Sequence, residues 1–445
     1  MTSTPPRSAS TRSESYAVIG GEGFLGAALV SALIERHGAS NVTSLGLTQR
    51  RFDPPGEYHF HRTDITSRAS IVDALRASKA TTVFHTASPH ANASAEVWQR
   101  VNVDGTEAVV DACREAGVSK LVFTSSATVV FEDDALRNVD ERIPTVDVEG
   151  DKGEPTYVST KAKAEKIVLD ANGKDGLLTC SLRLSGIIGP GDRQVIPGFI
   201  AVYKAGQASF QMGDNTNLFD FVTVRNVVHA HLLAAERLDR PTVSMARFNE
   251  RLKPVACTVK RRKLPTSERE DVLTGPAGDE DELPLPAART RFNQFYLRED
   301  APPADDADPS GRPAEPSLAV AGQSFFISNG EPVPFWTFAR AVYYAYSGVP
   351  QRWTLKLPAA MGMAVASVCE LAGRVVGKRP EECSINTKYM QYVLNDMYFD
   401  LERARRLLGY EPIESLEEGI RSAVDWYKAD EAKAQSRDKE TTKSK

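Results

Sequence analysis

The chain has 445 residues, of which 41% are hydrophobic and 25% are charged, and its formal net charge is -5. These values are typical of soluble globular proteins, allow one large domain or two, and give no indication of nucleic-acid binding. The five scattered cysteines include no Cys-x-x-Cys pair, which argues against a zinc site or a disulfide framework and fits a reducing compartment.

The first segment, residues 1–15, is predicted to be a disordered tail. It is rich in Ser, Thr, Pro and Arg, and it lacks the apolar core of a signal peptide. We therefore expect the folded part of the chain to begin near Tyr16.

The next elements predict the first unit of a dinucleotide-binding fold. Residues 16–19 form a short apolar run typical of a buried strand, and residues 24–35 have apolar side chains along one helical face. In the turn between them, Gly20 would permit a tight bend and Gly23 would let the backbone approach a pyrophosphate. Gly26 would let the helix lie close to the sheet. The spacing Gly-x-x-Gly-x-x-Gly is a weak signal by itself.

Residues 40–47 predict the second strand, and its end bears on the choice of cofactor. An acidic residue often stands there and binds the ribose 2′-hydroxyl, but here the position is Gly46. Without that carboxylate a 2′-phosphate would not be repelled, and Arg50 and Arg51 could pair with it, which favours NADP. Alternatively, the arginines form a solvated loop and NAD binds through other contacts. The sequence leaves NAD and NADP both open.

Residues 58–60 lead into a predicted third strand that ends in a polar loop containing Asp64. The Asp64 carboxylate could accept a hydrogen bond from the adenine amino group. Alternatively, this loop serves only to cap the following helix, because Thr66 and Ser67 precede an apolar helical pattern.

Residues 81–86 predict a fourth, buried strand that ends at Ala87, where a small side chain would let a cofactor lie against the strand end. We interpret His85 as a core histidine rather than a catalyst. A helix over residues 98–117 and a fifth strand over residues 120–125 follow. This alternation predicts an α/β fold with a Rossmann-type doubly wound parallel sheet.

The candidate catalytic residues follow the fifth strand. Ser126 stands at its end, and Tyr157 and Lys161 lie four residues apart, on one face of a predicted helix. An ammonium near a phenol favours the phenolate, so a tuned tyrosine could take a proton from a secondary alcohol while hydride leaves for a nicotinamide. Ser126 would orient the substrate oxygen. As isolated signals, Tyr-x-x-x-Lys arises by chance in many helices and a Ser-Ser pair at a strand end is usually a cap.

The combined motifs resemble the extended short-chain dehydrogenase/reductase superfamily. Within it they resemble the 3β-hydroxysteroid dehydrogenase family, and especially the decarboxylating sterol-4α-carboxylate 3-dehydrogenases of fungal type. The likeness covers roughly residues 15–240 and 322–428. The stretches that carry it are residues 20–26, 83–89, 101–106, 124–127, 157–161, 186–194, 213–221 and 226–231.

The resemblance implies roles for particular residues. Tyr157 and Lys161 match the catalytic pair of the family, and Ser126 matches its serine. The cofactor-contacting positions of the family are matched by Gly20, Gly23, Asp64, Ala87 and Asn102. The glycine turn adds Gly26 as a further candidate. Two departures are Gly46, in place of the usual acidic residue, and Leu184, in place of a proline.

The resemblance also implies a reaction. Oxidation of the 3β-hydroxyl of a 4α-carboxysterol gives a β-keto acid, which loses CO2 because the charge delocalises into the ketone. The implied partners are a sterol or other lipid-like substrate, NAD or NADP, and other enzymes of sterol C4 demethylation, without nucleic acid or metal. The resemblance leaves the oligomeric state of the protein open. The implied location is the cytosolic face of the endoplasmic reticulum membrane, as a peripheral protein, with the cytoplasm as the alternative.

The second half predicts a smaller substrate lobe. Residues 16–240 would hold the dinucleotide-binding domain and the first part of this lobe, and residues 322–428 the rest, with its C-terminal helices. Residues 242–320 look like a low-complexity, disordered insertion or a gene-model error. Residues 430–445 are expected to be a charged, frayed tail. His229 and His231 are interpreted as packing and capping residues.

Residues 357–376 form the most apolar long stretch, but Glu370 and Arg374 interrupt it. The stretch predicts a core helix or an interfacial one, and we favour the core helix. In the interfacial case it would be a docking patch for the membrane.

Two alternatives to the sterol decarboxylase remain at this point. The chain could be a dehydrogenase of another steroid, lipid or secondary metabolite. It could also be a non-catalytic NAD(P)-binding sensor, although such a sensor would need none of Ser126, Tyr157 and Lys161.

Overall fold

The computed structural model describes residues 14–49, 54–90, 93–132, 134–146, 155–240, 319–375 and 386–443. Almost all of the predicted N-terminal tail, residues 1–15, and of the predicted insertion, residues 242–320, lies outside these ranges. Arg50 and Arg51 also lie outside them.

Strands and helices alternate through the first half of the chain. The strands are β1 (Tyr16–Ile19), β2 (Val42–Gly46), β3 (His59–Arg62), β4 (Thr82–His85), β5 (Lys120–Ser126), β6 (Leu136–Val139), β7 (Leu178–Leu184), β8 (Gly186–Ile188), β9 (Phe210–Met212), β10 (Leu218–Phe219), β11 (Phe221–Thr223), β12 (Ser324–Ile327), β13 (Val333–Pro334), β14 (Leu355–Leu357) and β15 (Met397–Phe399). The α-helices are α1 (Phe24–His37), α2 (Arg68–Ser78), α3 (Ala95–Trp98), α4 (Gly105–Ala116), α5 (Tyr157–Asp170), α6 (Val195–Lys204), α7 (Val224–Arg237), α8 (Phe335–Ser347), α9 (Ala359–Val375), α10 (Thr387–Leu394) and α11 (Leu416–Lys443).

The main sheet has seven parallel strands in the order β12-β7-β5-β4-β1-β2-β3. Successive residues of β1 contribute to two hydrophobic clusters, Tyr16 and Val18 to one and Ala17 and Ile19 to the other. Since successive side chains of a strand point to opposite faces, both faces of this sheet are buried. The prediction of a doubly wound parallel sheet is confirmed. The strand order reverses beside β1, and ligands of such sheets bind at that point, outside the carboxyl ends of the strands.

A smaller lobe follows, and it contains a four-stranded sheet in the order β13-β10-β15-β6. Its core is aromatic: the rings of Phe221 and Phe338 stack with centroids 3.6 Å apart, and Phe219 lies 5.0 Å from Phe221. The chain re-enters the main sheet at β12, which pairs with β7 through Ile327 and Leu184. Leu184 is the last residue of β7 and still pairs with β12.

The preference for a core helix over residues 357–376 is wrong. In α9 the residues that face the protein are small, namely Gly362, Ala366 and Gly373, whereas large apolar side chains are exposed. The exposed fractions are 65% for Val368 and 64% for Leu371. Hydrophobicity alone did not reveal which face of the helix is covered. None of the described helices combines the length and the hydrophobicity that crossing a bilayer requires.

The last helix is longer than predicted. We expected a helix over residues 416–428 followed by a frayed tail, but α11 continues to Lys443. Residues 429–443 are rich in Ala, Lys and Glu, which have high helix propensity. They lack an apolar stripe, so hydrophobic periodicity could not indicate the extension.

A buried carboxyl group in the smaller lobe makes stability depend on pH. The Asp220 side chain is 1% exposed, and its Oδ2 accepts a hydrogen bond from the Phe399 backbone N–H at 3.0 Å. Burial raises the pKa of Asp220 to about 7. Between the ordinary pKa of about 3.9 and this value, the folded state binds more protons than the unfolded state. The contribution to stability therefore falls by about 1.4 kcal/mol per pH unit as the pH rises through that interval.

We expect Asp220→Asn to stabilise the protein more at pH 8 than at pH 5, because the amide carries no charge to bury. The measurement is the free energy of urea unfolding of both proteins at both pH values. Asp425→Asn, at an exposed position, is the control and should show no such pH-dependent gain. An equal effect of Asp220→Asn at both pH values would contradict this prediction.

Candidate active site

The glycine turn between β1 and α1 is tightly packed. Gly20 has φ of +84°, which L side chains rarely adopt, and a Cβ there would lie 2.8 Å from the backbone of Ala87. A Cβ on Gly26 would lie 2.1 Å from the carbonyl oxygen of Gly20. The expected tight bend at Gly20 and close helix packing at Gly26 are confirmed. Ala87 is two residues beyond the end of β4, so this contact joins the segments that follow β1 and β4.

The N-terminus of α1 can hold an anion. Gly23 is its N-cap residue, and among the described residues no side chain caps the helix. In the part of the chain that the structure describes, the non-neighbouring atom within 4 Å of a Cβ built on Gly23 is the carbonyl oxygen of Gly20, at 3.1 Å. A helix N-terminus that is free of a side-chain cap presents backbone N–H groups and a positive dipole end to an anion. The glycine turn therefore fits a dinucleotide pyrophosphate. The direct contact of Gly23 with the cofactor stays a prediction.

Asp64 is exposed in the loop after β3. Its Oδ1 accepts hydrogen bonds from the backbone N–H and hydroxyl of Thr66, at 2.9 and 2.8 Å, and these lower the pKa of Asp64. The N-cap of α2 is Ser67, which accepts from the N–H of Ser70. Asp64 thus orders the loop before the helix, and its contact with adenine stays a prediction.

Asn102 connects the loop after β4 to the candidate catalytic helix. It is 2% exposed and lies in a π-helical turn, Gln99–Asp104, just before α4. Its amide donates to the Thr160 hydroxyl at 3.1 Å, and its oxygen accepts from Ser88 at 3.3 Å. Because Thr160 lies between Tyr157 and Lys161 on α5, Asn102 fixes the helix that carries both.

His85 is a core histidine, as predicted. It is 1% exposed, and its Nε2 lies 3.0 Å from the Thr106 hydroxyl. Burial, assisted by the nearby charge of Lys161, lowers the pKa of His85 to about 3, so the ring is neutral at physiological pH.

Ser126 and Tyr157 meet at the carboxyl end of β5. Burial raises the pKa of the Tyr157 phenol, and the nearby Ser126 side chain partly opposes that rise. The Ser126 hydroxyl also accepts from the backbone N–H of Thr128 at 3.3 Å, so the capping role weighed for this serine is present as well. The indole ring of Trp98 lies edge-on to the Tyr157 ring, with centroids 6.4 Å apart.

Lys161 also lies at this end of β5. Its side chain is buried, and Nζ donates to the carbonyl oxygen of Thr124 at 2.5 Å and lies 4.4 Å from the ring centroid of Phe123. Burial lowers the pKa of Lys161 to about 7. Burial is the larger influence on the phenol in this structure. The expectation that this ammonium lowers the pKa of Tyr157 stays a prediction.

His231 orients the residue that binds Lys161. Its Nδ1 lies 2.8 Å from the carbonyl oxygen of Val227, which can only accept, so Nδ1 carries the proton. Burial lowers the pKa of His231 to about 4, so Nε2 accepts from the Thr124 hydroxyl at 2.8 Å. We interpreted His231 as a packing residue. Its link to the site depends on a contact across more than 100 residues, which no local pattern reveals.

A buried ion pair holds α5 against the sheet. Arg183 on β7 donates from Nε and Nη2 to one oxygen of Glu165, at 2.9 and 2.6 Å, and Ser181 donates to the other at 2.9 Å. The side chains of Arg183 and Glu165 are 5% and 2% exposed. Glu165 is one helical turn beyond Lys161, so this pair sets the position of the candidate catalytic face.

Comparisons with known proteins extend these observations. The sequence profile of the 3-beta hydroxysteroid dehydrogenase/isomerase family matches residues 17–250. The sterol-4-alpha-carboxylate 3-dehydrogenase erg26, decarboxylating, of Schizosaccharomyces pombe is 31% identical over 91% of this chain and 95% of that protein. Its counterpart in Saccharomyces cerevisiae is 31% identical over 93% of this chain and 97% of that protein. The enzyme of the same name in Mus musculus is 30% identical over 93% and 91%.

Solved structures show the same fold at lower identity. MoeE5 in complex with UDP-glucose and NAD has a TM-score of 0.54 and 21% identity, covering 94% of this chain and 99% of that one. The dTDP-glucose 4,6-dehydratase of Bacillus anthracis in complex with NAD has a TM-score of 0.58 and 14% identity, covering 94% and 98%. At these identities the likeness concerns the fold alone.

Proposed function

The chain belongs to the 3-beta hydroxysteroid dehydrogenase/isomerase family, and we propose that it is an oxidative sterol decarboxylase. In this proposal it uses a nicotinamide cofactor to oxidise the 3β-hydroxyl of a 4α-carboxysterol to the ketone, with loss of the carboxylate as CO2. The observation that carries the proposal is the placement of Ser126 at the carboxyl end of β5 and of Tyr157 at the start of α5, which is held to β5 by Lys161. The chain matches such enzymes over nearly its whole length.

The proposed chemistry assigns a role to each side chain. Tyr157 takes the proton from the 3β-hydroxyl, and Ser126 orients the substrate oxygen by a hydrogen bond. The oxidised nicotinamide supplies the hydride acceptor and a positive charge that favours the phenolate when it is bound. Lys161, close to Tyr157 on the same helix, anchors the cofactor ribose in this proposal. Its buried position at Thr124 O supports a role inside the site rather than on the surface.

Loss of CO2 follows from the oxidation. The new ketone is one carbon from the 4α-carboxylate, so the electron pair released by C–C cleavage passes into the carbonyl group as an enolate. Donors from Tyr157 and Ser126 stabilise that oxygen. The phenol, protonated after the first step, can then return a proton.

Residues from three strand ends support the proposed cofactor site. The turn with Gly20, Gly23 and Gly26 would hold the pyrophosphate. Ala87, just after β4, lies beside this turn, and Asn102, just before α4, contacts α5. Asp64 is proposed for the adenine. Gly46 leaves the choice between NAD and NADP to other residues.

The testing experiment incubates the purified protein with a 4α-carboxysterol and either NAD or NADP. We expect reduced cofactor and CO2 in equal amounts. Reduced cofactor without CO2 from a 3β-hydroxysteroid would instead favour a dehydrogenase of another lipid. Cofactor binding without either product would favour a non-catalytic sensor and overturn the proposal.

We further propose that α9 docks the protein on the cytosolic face of the endoplasmic reticulum membrane. Its outward face carries Met361, Val365, Val368 and Leu371. The neighbouring strand pair β9 and β14 adds exposed apolar side chains, and the loop before β14 adds Trp353, at 62% exposure. Large exposed apolar patches mark interaction sites, and tryptophan is enriched at membrane interfaces. The exposed Arg352 and Lys356 suit anionic lipid headgroups.

We expect Val368→Asp/Leu371→Asp to lower co-flotation with vesicles of phosphatidylcholine and phosphatidylserine at least about tenfold, since charges replace the apolar contact. Ile413→Asp, at an exposed apolar residue outside this surface, is the matched control and should float like the unchanged protein. Equal flotation of the double variant would exclude α9 as the docking surface.

A further inference from the structure

A carboxylate from the glycine turn lies beside the end of β2. Glu22 is only 8% exposed, although it stands in the turn between β1 and α1. Its Oε1 accepts hydrogen bonds from the Ser44 hydroxyl on β2 at 2.7 Å and from the Tyr58 hydroxyl at 3.0 Å. These contacts turn the side chain away from solvent and towards the second strand.

The place that Glu22 reaches is the one that Gly46 leaves open. Gly46 is the last residue of β2, where an acidic residue often binds the ribose 2′-hydroxyl. A Cβ built on Gly46 would lie 3.7 Å from Cγ of Glu22, in ordinary van der Waals contact. The two positions are therefore direct neighbours, and the acidic group beside this strand end comes from the turn instead of from the strand.

We infer that Glu22 selects NAD over NADP by placing a carboxylate where the 2′-phosphate of NADP would lie. This inference rests on the nicotinamide cofactor of the proposed function and names its specificity residue. A carboxylate accepts a hydrogen bond from a ribose hydroxyl, but it repels a phosphate.

The surroundings keep the carboxylate fixed. Burial and the Glu22 charge raise the pKa of Tyr58 to about 12, so its phenol stays a hydrogen-bond donor at physiological pH. Ser44 donates from β2, which pairs in parallel with β1. It is the residue before Leu45, the β2 partner of Ile19. A hydrogen-bonded side chain of this kind cannot readily turn away from an incoming phosphate.

The experiment titrates NADH and NADPH separately into the purified full chain and follows the fluorescence of the bound reduced nicotinamide. The variants are Glu22→Gln, which keeps an acceptor for Ser44 and Tyr58, and Glu22→Ser/Gly46→Asp, which moves the carboxylate to the usual position. Glu57→Gln, at an exposed position near β3, is the control for net charge. Thermal unfolding of each variant verifies that it is folded.

The unchanged protein should bind NADH at least about tenfold more tightly than NADPH, because the 2′-phosphate of NADPH and the Glu22 carboxylate are both negatively charged. Glu22→Gln should lower that ratio at least about tenfold, Glu57→Gln should keep it, and the double variant should restore the preference for NADH. If Glu22 only held the turn against β2, Glu22→Gln would change the stability of the protein and leave the ratio of its NADH and NADPH affinities constant.

Equal or tighter binding of NADPH by the unchanged protein would overturn the inference, as would a ratio that Glu22→Gln leaves constant. The binding measurement needs no sterol, so it separates this inference from the proposed function. A preference for NADH that depends on Glu22, in a protein that releases no CO2, would keep the inference and refute the sterol reaction. Binding of neither nucleotide would overturn both.

Discussion

Tyr157→Phe is expected to lower turnover of a 4α-carboxysterol by about 100- to 10,000-fold while changing the dissociation constant of the cofactor little. The variant keeps the aromatic ring beside Trp98 but removes the hydroxyl that meets Ser126. The proton of the sterol hydroxyl then has no acceptor during oxidation. Steady-state kinetics give the turnover, and titration with reduced cofactor gives its affinity.

Tyr346→Phe on α8 is the matched control, because it removes a tyrosine hydroxyl that lies near Glu431 rather than in the site. We expect its turnover to equal that of the unchanged protein. Turnover of Tyr157→Phe within about threefold of the unchanged protein would remove this phenol from the mechanism, since a general acid–base group contributes far more.

Glu165→Ala is expected to destabilise the protein by about 3–5 kcal/mol. It leaves the guanidinium of Arg183 buried without its carboxylate, and it removes the acceptor of Ser181 as well. Because α5 carries Tyr157 and Lys161, the same change should lower turnover in the fraction that stays folded. Chemical denaturation measures the free energy of unfolding.

An exposed pair on the same helix provides the control. Lys166 and Asp170 are 51% and 58% exposed and 3.0 Å apart, so Asp170→Ala should cost less than about 1 kcal/mol. Glu165→Leu/Arg183→Met should be less destabilised than Glu165→Ala, because no unpaired charge is left behind. A cost of Glu165→Ala similar to that of Asp170→Ala would show that the buried pair does not hold the helix.

The sequence correctly predicted much of the sheet, for a local reason. Residues 16–19 form a short apolar run, and residues 82–85 contain the apolar pair Val83 and Phe84. The helical segments after them repeat their apolar residues every three to four positions. These periods are properties of neighbouring residues, so they are visible without a structure. The bend at Gly20 was also predictable, because few other residues adopt its backbone conformation.

Several features of the site could not be predicted in that way. The turn of Lys161 towards Thr124, the support of Thr124 by His231, and the ion pair of Glu165 with Arg183 all join separate elements. A periodic pattern shows which face of an element is apolar, but it does not show which element covers that face. The outward-facing apolar side chains of α9 illustrate the same limit.

By itself, the sequence of this protein determined the order of its strands and helices, the glycine turn, and the residue types available for proton transfer. The tertiary structure decided which of those groups meet, and how burial changes their proton affinities. The physical reason is that secondary structure follows from local backbone and side-chain preferences, whereas hydrogen bonds and desolvation depend on partners that lie far away along the chain. Glu22 beside Gly46 is the clearest case, since 24 positions along the chain separate two residues that are neighbours in space.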